Sequence, residues 1–261
     1  MLGQVLPLAV SMVSTPFLIR MLGAESYGVF VLVGLIPAYL TFTDLGMGFA
    51  STKYGSEAFG KEQREQEAHV VTTASVIGLL TVLPFSIAIF IFSGFWVSLL
   101  NVPEHLRADA GLAFKFAAIA LAINVLSNIV NTPQLARLRI DLNTLVTAGF
   151  RIVGSILAPV IVYLGGGISG AAFAVMTASI LTFIGHVVIS GRLNPAMLRP
   201  AMDREMIRPL VKFGAALALS GIAAVFLGHL EKLVLVKQTT VENLAYYSVA
   251  FTFASMPPGR R

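Results

Sequence analysis

The residues of this chain that could do chemistry are polar side chains inside long apolar runs. Arg151 lies about nine residues, or some 14 Å, inside the run 142–164, close to the centre of a bilayer if that run spans one. An arginine there costs roughly 3 kcal/mol on insertion scales unless it meets an anion, acceptor groups or water. Because its guanidinium is always charged and binds oxyanions bidentately, Arg151 is a candidate cavity cation for an anionic substrate, above all a phosphate. The alternative is a structural ion pair, with Asp44 as the partner.

Three asparagines form a second polar feature. Asn124, Asn128 and Asn131 are spaced i, i+4 and i+7, which places their amides on one helix face. This face predicts either a sugar-contacting, water-lined wall or a set of interhelical hydrogen bonds. Asp44 is the carboxylate of the run 28–52, and Lys115, near the end of its own run, is expected to snorkel to the membrane interface.

The sequence does not carry the motifs of disulfides, metal sites or nucleotide-binding sites. The chain has no cysteine, which excludes disulfides, thiolate metal sites and cysteine nucleophiles, and its four histidines are too far apart for a local metal pair. The run 165–170 (GGGISG) matches the letters of a dinucleotide-binding loop, but its flanks are apolar helices and the required acidic residue is absent, so it predicts a tight turn. We therefore predict no enzyme site, no metal and no cofactor. Scattered basic residues argue against nucleic acid as a partner.

The elements that must position these residues are membrane helices. Only 12% of the 261 residues are charged and 56% are hydrophobic, whereas a soluble domain carries roughly 25% charged residues. Lipid permits only internally bonded backbone, so we predict an all-α, polytopic helical bundle of about eight transmembrane helices. The predicted helices are 2–22, 28–52, 71–99, 112–136, 142–164, 168–190 and 210–230, with an eighth beginning near 243.

The distribution of basic residues predicts the topology. Alternate loops hold ten of them, which places these loops and the N-terminus in the cytoplasm: Lys53, Lys61, Arg64, Arg137, Arg139, Arg192, Arg199, Arg204, Arg208 and Lys212. The mixed charges of 53–69 predict a solvated cytoplasmic helix. The basic, amphipathic stretch 192–209 predicts a linker between a six-helix lobe, residues 1–191, and the first two helices of a second, truncated lobe, residues 210–261.

Several motifs resemble those of one known family. These are PFLIRMLGAESYG at 16–28, DLGMG at 44–48 followed by Lys53, GGG at 165–167 with GAA at 170–172, and Glu231-Lys232 before AYYS at 245–248. Together they resemble the Wzx-type O-antigen and exopolysaccharide flippases of the multidrug/oligosaccharidyl-lipid/polysaccharide (MOP) exporter superfamily. Lys53 stands where that family often has Arg, and Glu231 where it has Asp.

The resemblance implies two six-helix lobes around a central cavity in the bacterial cytoplasmic membrane. A polyprenyl-diphosphate-linked oligosaccharide would be moved by alternating access, with Arg151 and Arg20 neutralising the diphosphate and the asparagine face meeting the sugars. Membrane lipids and other polysaccharide-assembly proteins are the further expected partners. The alternatives are a cation-coupled multidrug exporter that uses Asp44, a membrane-embedded glycan polymerase or glycosyltransferase, and a non-functional fragment.

Overall fold

The chain folds as a helical bundle in the computed structural model, which describes residues 2–199, 201–219, 243, 246 and 247. All regular elements among these residues are helical, so the predicted all-α class is confirmed. The long helices are α1 (Leu2–Tyr39), α2 (Met47–Gly60), α3 (Arg64–Ile91), α5 (Arg107–Val130), α7 (Ile140–Ile161) and α8 (Gly167–Leu193). Two short helices, α4 (Ser93–Leu99) and α6 (Thr132–Ala136), lie between them, and α9 begins at residue 204 and is described to residue 219.

Glycines turn two of the longest helical stretches back on themselves. Residues Ile140–Leu193 would be about 80 Å long as one helix, far more than the roughly 30 Å apolar core of a bilayer. Gly165 and Gly167 have φ of 90° and 57°, and α7 packs against α8, so the glycine run is the tight turn that the sequence predicts. In α1 the break is at Gly23 (φ 78°, ψ 158°), and Leu18 and Tyr27, on its two sides, share one buried cluster.

The predicted helix 28–52 is wrong in its middle. Residues Leu40–Asp44 form a 3-10 turn, and Leu45 and Gly46 have φ of 48° and 67° before α2 begins. The Asp44 carboxylate accepts the backbone N–H groups of Gly46 (2.9 Å) and Gly48 (3.4 Å). The backbone amides of the first turn of a helix have no partner within that helix, and the Asp44 carboxylate supplies one for α2. This hydrogen bonding stabilises the start of a new helix relative to an extension of α1.

Contacts gather the basic loops at one end of the bundle. The Arg137 guanidinium binds the Glu67 carboxylate at 2.6 and 3.0 Å, the Asn194 amide donates to the Arg64 carbonyl at 2.9 Å, and the Lys53 ammonium lies 4.5 Å from the ring centroid of Phe213. These contacts join α2, α3, α6, the end of α8 and α9. The grouping that the charge pattern predicts is present. The expectation of one solvated helix over 53–69 is wrong in part: residues 59–66 are exposed, but α2 and α3 are separate helices and Glu67 is fully buried.

Two buried clusters hold the helices together. The larger one is centred on α3 and α5, around Ala74 and Phe114, with Val29 of α1 and Met47 of α2 packed on it. The smaller one joins both halves of α1 to α7 and α8. The backbones of α7 and α8 approach closely at Gly154, where an added Cβ would lie 2.7 Å from the Ala178 Cβ of α8.

The outer faces of the long helices are apolar, as lipid requires. Exposed large side chains include Leu80, Ile91, Leu145, Val160 and Leu164. Four described stretches are long and apolar enough to cross a membrane: Leu6–Pro37, Arg64–Ile91, Glu104–Ala136 and Ile140–Leu193. The helices predicted at 210–230 and from 243 onward fall largely outside the described residues, so the count of about eight and the boundary at 192–209 stay predictions.

Candidate functional site

Arg151 is placed at the middle of α7. It lies eleven residues after the first residue of this helix and ten before the last. At 1.5 Å per residue both ends of α7 are about 15 Å from Arg151. The Arg151 Cα therefore lies near the bilayer centre if α7 spans the membrane. Arg151 is exposed, and it faces an open cavity of about 420 Å³ between the helices. We call this space the Arg151 cavity.

The Arg151 cavity lies between both halves of α1, α5, α7 and α8. Small and hydroxyl-bearing side chains make up most of its wall: Ser11, Ser14, Thr15, Tyr27, Thr147, Gly154, Ser155, Ala158, Ala178, Ser179 and Thr182. Asn124 and the apolar side chains of Leu18, Phe30 and Val175 complete it. Several hydroxyls donate to carbonyls one turn earlier in their own helices, for example Ser155 to Arg151 (3.0 Å) and Thr182 to Ala178 (2.8 Å). Their oxygens keep acceptor capacity, so the wall supplies acceptors and the guanidinium supplies donors.

The charge of Arg151 is not matched by an acidic side chain within the described residues. No carboxylate among the described residues lies within ion-pair distance of its guanidinium. Asp44, the ion-pair partner considered from the sequence, lines a different cavity and accepts hydrogen bonds from backbone amides. A cation at the membrane centre without a counter-charge favours an anion in its surroundings. The geometry therefore suits an anionic ligand better than the structural ion pair.

A second space, the Asp44 cavity, lies beside the first along α5. It has a volume of about 410 Å³ and is lined by Asp44, Gly48, Thr52, Asn128 and Asn131, together with Leu217 and Ala218 of α9. Asn124 and Asn128 are one helical turn, or about 6 Å, apart on α5. The asparagine face thus contributes to both spaces, with Asn124 on the Arg151 cavity and the other two on the Asp44 cavity.

Asn131 is the asparagine most deeply enclosed. It is 9% exposed, and its amide nitrogen donates to the Asn143 side-chain oxygen at 3.1 Å, which joins the end of α5 to α7. Its own Oδ1 has no hydrogen-bond partner among the described atoms. A buried acceptor left free costs about 1–3 kcal/mol, so an enclosed water molecule bound to this oxygen would be favoured. Asn131 makes the interhelical hydrogen bond that the second interpretation of the asparagine face predicts.

Arg20 is not among the described residues that line the Arg151 cavity. It is exposed on the first half of α1, three residues before the break at Gly23, and is not among the described lining residues of either cavity. Five positions along a helix correspond to a rotation of about 140°, so Arg20 lies on the face opposite Thr15, which lines the Arg151 cavity.

The hydroxyl wall is the part of the site that the sequence interpretation missed. Its signal is present in the spacing: Thr147, Arg151 and Ser155 follow at i, i+4 and i+8, and Ser11, Ser14 and Thr15 at i, i+3 and i+4. The sequence does not show that the two stripes face each other, because that depends on how α1 packs against α7. The described residues contain no group of three or more His, Asp or Glu placed to hold a metal ion.

Comparisons with known proteins agree with this architecture. The sequence family described as “polysaccharide biosynthesis protein” matches residues 17–259. Among solved structures, the chain is similar to an inward-facing multidrug resistance MATE family transporter of the MOP superfamily, with a TM-score of 0.70 and 16% sequence identity. That alignment covers 94% of this chain and 57% of the transporter, so the chain spans little more than half of its structural relative. A comparison with curated proteins gives no match.

Proposed function

The chain belongs to the polysaccharide biosynthesis protein family, and we propose that it acts as a flippase for a polyprenyl-diphosphate-linked oligosaccharide. The substrate would be moved from the inner to the outer leaflet during assembly of a surface polysaccharide, of the O-antigen or exopolysaccharide kind. The likeness in fold to a transporter of the MOP superfamily supports transport rather than catalysis. It also supports an arrangement in which residues 1–191 form one lobe and a second lobe begins near residue 210.

The observation that carries the proposal is the position of Arg151. Its guanidinium lies at mid-helix, faces a cavity of about 420 Å³, and has no carboxylate partner among the described residues. A diphosphate offers paired oxyanions that match the planar fork of arginine, and the low dielectric of the surroundings strengthens that interaction. We propose that Arg151 binds the diphosphate during its passage, while Arg20, which faces away, takes no direct part at this stage.

The remaining wall of the Arg151 cavity suits a sugar. Sugar hydroxyls donate hydrogen bonds, and the wall offers acceptors at Ser155, Ser179 and Thr182, whose own protons are directed to helix carbonyls. Asn124 adds an amide that can both donate and accept. Small side chains around them leave room for differing sugars, and the lipid tail would stay in the bilayer.

The charge pattern supports one orientation. The end of the bundle where Glu67, Arg137 and Asn194 meet also gathers the predicted cytoplasmic loops, so we place it in the cytoplasm, with the N-terminus on that side. The membrane would be the bacterial cytoplasmic membrane. Other polysaccharide-assembly proteins are proposed as partners that deliver or consume the substrate.

Glycan export in cells that depend on this protein tests the proposal. Arg151→Ala should abolish or strongly reduce surface glycan at an unchanged protein level, and Arg151→Lys should retain part of the activity because it keeps the charge but not the fork. Arg139→Ala is the matched control, since Arg139 is exposed at the end of the bundle and pairs with Asp141 at 3.0 Å. Normal export by the correctly inserted Arg151→Ala protein would contradict the proposal.

A cation-coupled multidrug exporter is the second candidate, favoured by the Asp44 cavity. The Asp44 carboxylate lines it, and a carboxylate inside a membrane protein can bind a proton or a sodium ion. Under this alternative Asp44→Asn would raise drug accumulation and leave surface glycan unchanged. The flippase proposal predicts that drug accumulation is the same in cells with the Asp44→Asn variant and in cells with the unsubstituted protein.

A further inference from the structure

An apolar groove runs between α3 and α5, away from both cavities described above. Its volume is about 620 Å³, and apart from Ser86 every residue that lines it is apolar. Phe90 and Ile91 lie toward one end, and Leu79 and Leu126 toward the other. Ile87, Phe90 and Ile119 are each more than a third exposed, so the groove is open on the surface of the described bundle. We call it the α3–α5 groove.

A lysine lies at one end of the α3–α5 groove. The Lys115 ammonium is 5.7 Å from the ring centroid of Phe90, which lines the groove. Side chains tilt toward the N-terminus of their helix, so Lys115 is directed to the end of α5 that begins at Arg107, the end opposite the basic loops. No carboxylate lies within ion-pair distance of Lys115 among the described residues. Its charge is therefore available to an anion at the mouth of the groove.

Ser86 is a second polar group that lacks a partner. It lines the α3–α5 groove, is 7% exposed, and its Oγ has no hydrogen-bond partner among the described atoms. Most serines in membrane helices donate to a carbonyl one turn earlier, as Ser127 does to Ile123 at 2.9 Å. The Ser86 oxygen is itself buried, so it adds no polar surface to the groove, and the wall that a ligand would meet is apolar throughout.

The length of the groove selects the kind of chain that it can hold. Eleven residues of α5 separate Lys115 from Leu126, which corresponds to about 16 Å, or one leaflet of a bilayer with a core of roughly 30 Å. This depth matches a single acyl chain, whereas a polyprenyl tail is several times longer. A phospholipid with a phosphate at one leaflet surface and an acyl chain beneath it meets both features, the apolar groove and the lysine at its end.

We propose that the α3–α5 groove is a binding site for an anionic glycerophospholipid of the leaflet opposite the basic loops. One acyl chain fills the groove, and the phosphate binds the Lys115 ammonium at its end. The site is independent of the Arg151 cavity, because α5 separates them. It would bind phosphatidylglycerol in preference to phosphatidylcholine, since the net charge of the headgroup decides the contribution of Lys115.

Fluorescence quenching by brominated lipids tests this site directly. The chain has one tryptophan, Trp96, so Trp96→Phe combined with Ile87→Trp gives a single reporter on the rim of the groove. In nanodiscs of mixed lipid, brominated phosphatidylglycerol should quench this reporter at lower mole fraction than brominated phosphatidylcholine. One juxtamembrane lysine contributes about a fivefold preference for anionic lipid.

Matched variants separate the lysine from general charge effects. Lys115→Gln should remove the preference, Lys115→Arg should keep it, and Lys61→Gln, at an exposed position between α2 and α3, should leave it unchanged. The proposal would be overturned by equal quenching by both lipids, by a preference that survives Lys115→Gln, or by displacement of the brominated phospholipid by polyprenyl phosphate at lower concentration than by phosphatidylglycerol. Absence of quenching by either lipid would mean that protein covers the groove, and would overturn it as well.

Discussion

The ion pair between Glu67 and Arg137 should contribute more to stability than any exposed pair in the described bundle. Glu67 is fully buried, and its two oxygens accept from Arg137 at 2.6 and 3.0 Å and from the Asn194 amide at 2.9 Å. Arg137 also donates to the Pro133 carbonyl at 3.1 Å and lies 4.4 Å from the ring centroid of Phe59. The network therefore ties α2, α3, α6 and the end of α8 together.

Removing one partner of this pair leaves an uncompensated buried charge. Arg137→Met is expected to cost about 3–5 kcal/mol, which corresponds to a fall in Tm of about 6–20 °C for a chain of this size. Glu67→Met/Arg137→Met should recover much of the loss, because two apolar side chains of similar volume leave no charge without a partner. Thermal unfolding in one detergent, followed by near-UV circular dichroism or by a thermal-shift dye, measures both changes.

Arg139 provides the matched control, two residues away. Its pair with Asp141 has a similar distance of 3.0 Å, but both side chains are about half exposed or more, so Arg139→Met should leave Tm essentially unchanged. The reasoning is refuted if Arg137→Met and Arg139→Met shift Tm equally, or if the double variant is less stable than Arg137→Met alone.

Further predictions concern the turns and the topology. Gly167→Ala should lower Tm by several degrees, because Gly167 has φ of 57° and an added Cβ would meet the Asp109 carboxylate. That carboxylate caps α8 by accepting the backbone N–H groups of Ile168 (2.6 Å) and Ser169 (3.2 Å). Gly111→Ala, where a Cβ meets nothing, should leave Tm the same or raise it, and equal loss in both variants would contradict the account. Single cysteines can be introduced without background, since the chain has none: Gly94→Cys, at an exposed position of α4 where an added Cβ meets nothing, should react with an impermeant maleimide from outside the cell, whereas Arg64→Cys and Met202→Cys should not. Labelling of all three from outside, or of the last two alone, would show that the orientation is wrong.

The sequence predicted those features of the fold that follow from lipid as a solvent. Apolar runs located α3, α5, α7 and α8, because a membrane helix must be long and nearly free of charge. Helix boundaries were less accurate: the run 28–52 gave no sign that Asp44 would cap a new helix after a left-handed Gly46. A local hydrogen bond decided this break, and hydropathy does not record such bonds.

Burial of polar groups was the feature that sequence predicted least well. Glu67 lies in a segment rich in charge and was expected in solvent, but its partners Arg137 and Asn194 are distant in sequence, so only the folded chain reveals the network. Arg151 could be singled out because its depth depends only on its position within one helix. Its separation from Arg20 and Asp44, in contrast, depends on helix rotation and on the break at residues 40–46.

Binding of a polyprenyl diphosphate to the purified protein tests the central claim most directly. Loss of a charge-assisted, bidentate contact costs about 1.5–3 kcal/mol, so Arg151→Gln should weaken binding of the diphosphate by roughly 10- to 150-fold. The same change should have little effect on binding of the uncharged polyprenol, and Arg139→Gln should bind both as the unsubstituted protein does. If Arg151→Gln binds the diphosphate with unchanged affinity, the Arg151 cavity is not the site of the anionic group and the proposed mechanism is wrong.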